Sequence, residues 1–301
     1  SLNVALRATS GTAEPTQRTA QAITLLKDAM TLAKLAGIEQ SQAMDYLVAS
    51  LRQMDAPLTS GITLLDKFQA VSQSSNTSIE DLAATFSITA GAAQDVGVGI
   101  DELTGLIGAF SESTSLSATE TGNALRAMFS NFTQPQGVEI LNKYGIAVRD
   151  VSGEFRSFTD VFKQASDLAR SGVLNDRQVA EIANALGGGS RRQAQVTALL
   201  TVQPRAEELA QIAATDSAGK AQEALALKTE TLQSALERLQ NAFDGLANSL
   251  GNQGGFLTVL TTAVDLLSGV LDIVNGITKA LGPATSAVIA MGVAMAAYKQ
   301  Y

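Results

Sequence analysis

Cysteine and histidine are both missing from this 301-residue chain, and so is tryptophan. Without cysteine there are no disulfides and no thiol nucleophile. Without histidine, the side chain most often used to move protons near neutral pH is gone, along with the usual zinc and iron ligand. Ser-His and Cys-His catalysis are therefore excluded. Carboxylate-only or Mg²⁺-dependent chemistry would need acidic residues converging on a pocket, whereas Asp and Glu here read as scattered singly at helix starts and surfaces. The chain is accordingly read as a non-enzyme, with no cofactor and no metal. Aromatic residues make up only 5% and prolines number five, against 46% apolar residues. A core of Ala, Leu, Val and Ile with few rings suits closely packed helices better than a β-sandwich, because small side chains let helix axes approach.

Positive charge is scarce as well. At a net charge of −8, with Arg191-Arg192 the only adjacent basic pair, the chain has no cluster with which to neutralise phosphates, so stable nucleic-acid binding is not expected. That pair follows Gly187-Gly188-Gly189-Ser190, a phosphate-loop composition. The Walker spacing fails, since no Lys-Ser/Thr follows the glycines and the preceding "NDRQVAEIANAL" is an amphipathic helix and not a strand. A helix C-cap and a link to the next helix is the better reading. No secretory signal is visible in "SLNVALRATSGTAEPTQ", which lacks a basic start followed by an apolar run. The missing initiator Met and the end inside an apolar stretch lead us to expect a piece of a longer polypeptide.

What is present is mainly helix. Residues 16–36 place Ile23, Leu26, Met30 and Leu35 on one side and stop at Gly37; "EQSQAMDYLVASLRQM" follows and ends before Pro57. Residues 61–73 and 78–93 supply two more helices, the second opened by the capping pattern Thr77-Ser78-Ile79-Glu80-Asp81. Asp101 and Glu102 load the next N-terminus, and Ser117 to Glu120 start the one after. A weak internal echo links "LAGIEQSQAMDYLVASL" (35–51) with "VGVGIDELTGLIGAF" (96–110). The expected division is 1–94, an N-terminal helical segment; 95–218, a core; 219–281, long heptad-patterned helices; and 282–301, the start of an apolar helix.

One short episode breaks the helical pattern. In "LNKYGIAVRDVSGEFRSFTDVFKQ" (141–164), Ile146, Val148, Phe155 and Phe158 flank the turn at Ser152-Gly153. Apolar residues at alternate positions around Ser-Gly predict a small β-hairpin or a tight extended corner near 146–158. An isolated hairpin is unstable in water, so its ring residues should dock on neighbouring helices.

From residue 95 to 200 these segments occur in a characteristic order. "GVGIDELTGLIGAFSESTSLSATETGNALRAMFSNFTQP", the corner, and "LNDRQVAEIANALGGGSRRQAQVTALL" together resemble the core region of phage tail tape-measure proteins. The matching residues are Gly122, Leu125 and Arg126; Leu141, Gly145, Ile146, Val148, Asp150, Gly153 and Arg156; and Leu186, Gly187 and Arg191. The resemblance spans residues 60–250 and departs at 187–189, where three glycines stand in place of one or two. It implies a structural protein in the tail-tube lumen of the virion that sets tail length during assembly in the host cytoplasm and leaves ahead of the genome. It also implies, as partners, the tail tube protein, tail-tip and distal tail proteins and tail assembly chaperones. No catalytic residue is carried over, because the family has none in this region.

Beyond residue 219 the pattern lengthens. Leu225, Thr229, Leu232, Leu236, Leu239, Phe243, Leu246 and Leu250 alternate steps of four and three over nearly four heptads, the signal for a supercoiled helix that needs a partner. Ala226, Ala235, Ala242 and Ala247 flank this seam where a two-stranded coil places charges, so a homo-oligomer of three chains is expected. An ordinary long helix packed on its own chain stays open as the alternative. Residues 256–281 continue as an amphipathic helix, and "ATSAVIAMGVAMAAY" after Pro283 is a short apolar run, either a membrane segment or a buried bundle helix. The second functional reading is therefore a membrane-active segment that assists DNA passage into the host. A cell-wall hydrolase module is a third, disfavoured by the absent His and Cys.

Overall fold

The computed structural model describes Ala5 and residues 15–231. Ten α-helices follow in order among the described residues: α1 (Pro15–Ala36), α2 (Gln40–Gln53), α3 (Gly61–Ser74), α4 (Ile79–Gln94), α5 (Ile100–Ser113), α6 (Ala118–Phe132), α7 (Pro135–Lys143), α8 (Phe158–Arg170), α9 (Asp176–Gly187) and α10 (Ser190–Thr215). A single 3₁₀ turn, Leu58–Ser60, precedes α3, and residues 220–231 are again helical. The protein is mainly α, with no strand among the described residues. Two compact units divide the chain: residues 1–28 with 44–221, and residues 29–43 with 222–301.

Helix ends follow the capping chemistry. Ser78 and Ser117 accept hydrogen bonds from the backbone N–H three residues on, and Glu120 and Gln178 return the bond to the N-cap backbone of Ser117 and Asn175. The echo between 35–51 and 96–110 is a shared stop and restart. Gly37 and Gly97 both take φ +74°, which a Cβ would disfavour, and Ile38 and Val98 donate back to the carbonyls of Ala33 and Ala93. Each of these apolar residues is buried, so the chain reverses into the core and the next helix starts two residues later.

Helix α5 is the centre of the first unit. Its residues from Leu103 to Phe110 are buried without exception, the mark of a helix covered on all sides. α10 lies against it most extensively, with α3 and α4 on other faces. The crossing with α10 is close because Gly105 presents no side chain: a Cβ there would stand 2.5 Å from Ala210 N and 2.9 Å from Ala210 Cα. Leu209 and Val71 fill the space beside Gly108 in the same way.

Pro204 sits inside α10, yet the helix continues. Proline has no N–H, so the Leu200 carbonyl loses its donor one turn on. Ser166 Oγ of α8, fully buried, donates to that carbonyl at 2.5 Å and replaces the missing bond. A polar latch forms at the other side of α10. Arg205 pairs with Glu112 (3.1 Å) and Glu208 (2.8 Å) and donates to the Ser74 carbonyl, tying the ends of α3 and α5 to α10. Lys67 reaches Asp101 (2.5 Å) and the Ala213 carbonyl (3.0 Å).

Two expectations change. In α1 the buried stripe is Ala22, Leu25, Ala29, Leu32 and Ala33, whereas Ile23 and Met30 are exposed and Leu26 is half-buried; Leu35 is buried as expected. Small alanines permit close helix contact, and the polar Asp28 on the same stripe disguises it in a reading by side-chain size. The carboxylates, moreover, are not confined to helix starts and surfaces. Asp28 (4% exposed) and Asp66 (9%) are buried in mid-helix and cap other helices: Asp28 accepts from Ile62 N at 3.0 Å, and Asp66 from Gly219 N (3.0 Å) and Ala221 N (2.9 Å). Burial pushes the Asp28 carboxyl up to about 6.

Candidate functional site

The corner between α7 and α8 begins at Gly145, where the chain leaves α7 and Ile146 donates back to the Leu141 carbonyl at 3.0 Å. Ile146 and Val148 point inward and are fully buried, while the alternating Ala147 and Arg149 face out. A single antiparallel bridge, Arg149 with Phe155, closes the loop. Asp150 N donates to the Glu154 carbonyl and Arg156 N to the Val148 carbonyl, both at 2.9 Å. The segment is thus a tight extended corner with one bridge, not a laddered hairpin.

Its tip is organised by one carboxylate. Asp150 Oδ1 accepts from Ser152 Oγ (2.6 Å), Ser152 N (2.8 Å) and Glu154 N (3.0 Å), with Gly153 at φ +87° completing the turn. The Ser152 hydroxyl, and then the backbone donors, hold the Asp150 carboxyl below its ordinary pKa. Arg149 stacks its guanidinium over the Phe155 ring at 3.8 Å and donates to the Gly153 carbonyl. Arg156 donates to the Ala147 carbonyl (2.7 Å) and to Gln164 (3.0 Å). Val151 at the tip is wholly exposed.

The corner is fastened to the bundle by rings. Phe158 is buried against Phe129 (4.9 Å, edge-on), Phe132 (5.3 Å, edge-on) and Phe162 (5.0 Å, stacked), and its N–H donates to the Val96 carbonyl at 3.0 Å. Phe155 reaches Phe132 at 6.3 Å but remains 38% exposed, so of the two expected docking rings one is core and one is rim. Five of the chain's ten phenylalanines meet here, which concentrates the few rings at the junction between the corner and α6. Aromatic pairs of this kind contribute about 0.5–1.5 kcal/mol each beyond area burial.

Beside the corner, α7 and α9 frame an open groove of 480 Å³ that includes Gln136, Lys143, Arg177, Glu181 and Gln193. Glu181 accepts from Tyr144 Oη (2.5 Å) and Lys143 Nζ (2.8 Å), and Arg177 stands 3.5 Å away. These partners, Lys143 first, draw its carboxyl down to about 2. A carboxylate so fully committed is an ionised strut and not a proton carrier at neutral pH. The Gly187-Gly188-Gly189 link is a left-handed C-cap at Gly188 (φ +70°), followed directly by α10. Asn131 of α6 braces it by donating to the Leu186 carbonyl at 3.0 Å, and Arg192 turns back toward the Gly187 carbonyl at 3.4 Å. No group of carboxylates able to hold a metal occurs among the described residues.

Of the heptad seam, Leu225 and Thr229 lie in the described part, in the helix of residues 220–231, Leu225 half-buried and Thr229 exposed. Leu232, Leu236, Leu239, Phe243, Leu246 and Leu250 lie outside the described residues, as do the amphipathic stretch 256–281 and the apolar run after Pro283. Among the described residues no helix is long and apolar enough to cross a membrane. What sequence reasoning missed is how the seam helix is held: Asp66 at its N-terminus, and Lys228, whose ammonium donates to the Leu35 (2.6 Å) and Lys34 (3.4 Å) carbonyls at the end of α1. The contributing signals, an Asp and a Lys in otherwise apolar helical patterns, are visible in the sequence but ambiguous there.

Comparison with known proteins adds one positive result. No solved structure matches the chain. The model of one family, described as phage-related minor tail protein, matches residues 7–188, from the N-terminal segment through the corner to the glycine link. That match covers more than half of the sequence, and the chain belongs to the family of phage-related minor tail proteins.

Proposed function

We propose that this chain is a tail tape-measure protein, acting by length and assembly without turnover. In this reading it occupies the tail-tube lumen, meets the tail tube protein and the tail-tip proteins, passes through the assembly chaperones in the host cytoplasm, and leaves ahead of the genome. Family membership supports a place in the tail. The observation that carries the finer reading is the heptad stretch. Its pattern runs without a break from Leu225 to Leu250 in the sequence, and Asp66 accepts from Gly219 N and Ala221 N at the start of the described helix of residues 220–231. A helix has a fixed rise, so a continuous helix over this stretch would convert residue number into distance. Net charge supports the reading too, since an acidic chain repels the DNA that must follow it.

The test is an in-frame deletion of four heptads, 28 residues, within 223–250. At 1.5 Å per residue the tail should shorten by about 42 Å in electron micrographs of the mutant virions. Tails of parental length would assign the measuring to another stretch of the polypeptide and leave this one as a folded anchor.

A further inference from the structure

Two helix ends meet at the turn of residues 216–219, which joins α10 to the helix of residues 220–231. The consecutive residues Asp66 and Lys67 of α3 hold one end each. The Lys67 ammonium donates to the Ala213 carbonyl (3.0 Å) in the last turn of α10, the negative end of that helix. The Asp66 carboxylate accepts from Gly219 N (3.0 Å) and Ala221 N (2.9 Å), at the positive start of the next one. Each charge stands at the terminus that favours it. With Asp66 buried and the Lys67 side chain only 16% exposed, these contacts are screened little by salt.

The two sides of the turn are not held equally. On the α10 side, Lys67 is backed by its ion pair with Asp101 of α5, by the pairing of Arg205 with Glu112, and by the close crossing at Gly105. On the other side, Asp216, Ala218 and Gly219 are exposed, and Gly219 stands at φ +79° with open space where a Cβ would be. Ala221 is buried there but brings a single methyl group, and the compact unit that contains the turn ends at this residue. One carboxylate therefore does much of the holding at the start of this helix. We propose that the turn is a joint that opens on its C-terminal side: when Asp66 releases Gly219 and Ala221, the start of the helix of residues 220–231 comes free while α10 stays docked on α3 and α5. The asymmetry sets the direction, because Lys67 and Arg205 keep α10 in place whether the joint is open or shut. A change in the direction of the chain after Gly219 then leaves the crossing of α5 with α10 intact.

Hydrogen exchange of the full chain, read by mass spectrometry, tests this. In the parent, amides of residues 219–226 should exchange through a local opening that exposes little surface, at a rate that low urea does not change, whereas those of 199–213 should speed up with urea. Asp66→Asn keeps the size of the side chain and removes its charge. It should speed exchange at 219–226 by about 10-fold and leave 199–213 as in the parent. Exchange at 219–226 that rises with urea in step with 199–213 in the parent would overturn the proposal, and this measurement stands without any variant. So would an Asp66→Asn protein with unchanged exchange at 219–226, or one whose exchange rises equally in both stretches, which would make Asp66 a support of the whole unit and not a latch on one turn.

Discussion

Replacing Gly105 by Ala adds one methyl group at the tightest crossing in the first unit. The new Cβ would lie 2.5 Å from Ala210 N and 2.9 Å from Ala210 Cα, and closer still to the Ala206 carbonyl oxygen. Carbon contacts settle near about 3.5 Å, so α5 and α10 would have to separate by about 1 Å. All three obstacles are backbone atoms of a helix, so no rotamer change relieves the clash. Overpacking of this kind costs about 1–3 kcal/mol, and separating the helices also loosens Leu209 and Val71 beside Gly108. The gain in helix propensity, about 1 kcal/mol, offsets only part of this. The net loss, up to about 2 kcal/mol, corresponds to a fall in Tm of up to about 4–8 °C for a unit of this size, measurable by circular dichroism. Gly91→Ala is the control. Its nearest obstacle is the end of the Gln53 side chain at 3.2 Å, which can move, so that variant should be neutral or slightly stabilised. A Gly105→Ala protein as stable as the parent would refute the close crossing and the central place given to α5.

Three further outcomes follow from the same packing. Ser166→Ala removes the donor that stands in for the absent N–H of Pro204 and leaves the Leu200 carbonyl unsatisfied, at about 1–3 kcal/mol. Pro204→Ala restores a backbone donor, so the double variant should recover most of that loss in a denaturant double-mutant cycle. Burial raises the Asp28 carboxyl to about 6, against Lys27 on its own helix and with Asp66 on α3 adding to the rise. The folded chain therefore holds an extra proton, and the contribution of Asp28 to stability is full below about pH 4 and lost as pH rises through 6. Asp28→Asn should flatten that slope and be the more stable protein at pH 7.5, read as denaturant midpoints across pH 4 to 7.5. Finally, a chain ending at 188 keeps the family-matched residues but lacks α10, so it should show no cooperative melt, whereas one ending at 231 should melt as a unit.

Much of this architecture is legible in the sequence where local chemistry decides it. Ser78, Ser117 with Glu120, and Asn175 with Gln178 announce helix starts because the capping bonds are made within four residues. Gly37, Gly97 and Gly145 announce stops for the same reason. The corner, too, is local: Asp150, Ser152 and Gly153 write the turn, and only the choice of Phe158 over Phe155 as the buried ring needs α6 to be known. What escaped are the long-range partners. Asp28 looks like a surface residue until α3 is placed with its N-terminus against it, and the buried Ala22-Ala29 stripe of α1 looks weaker than Ile23-Met30 until the neighbouring helix comes close. Pro204 predicts a helix end from its own chemistry, and only Ser166, 38 positions away, explains why the helix goes on.

The most direct test of the tape-measure reading is a duplication, because a deletion can shorten tails simply by impairing assembly, whereas lengthening by one defined increment calls for a longer ruler. Virions carrying a duplication of four heptads within 223–250 should have tails longer than the parent by about 42 Å, matching the shortening caused by the deletion. Tails of parental length in the duplication mutant, with infectivity retained, would contradict the claim that this heptad stretch measures the tail.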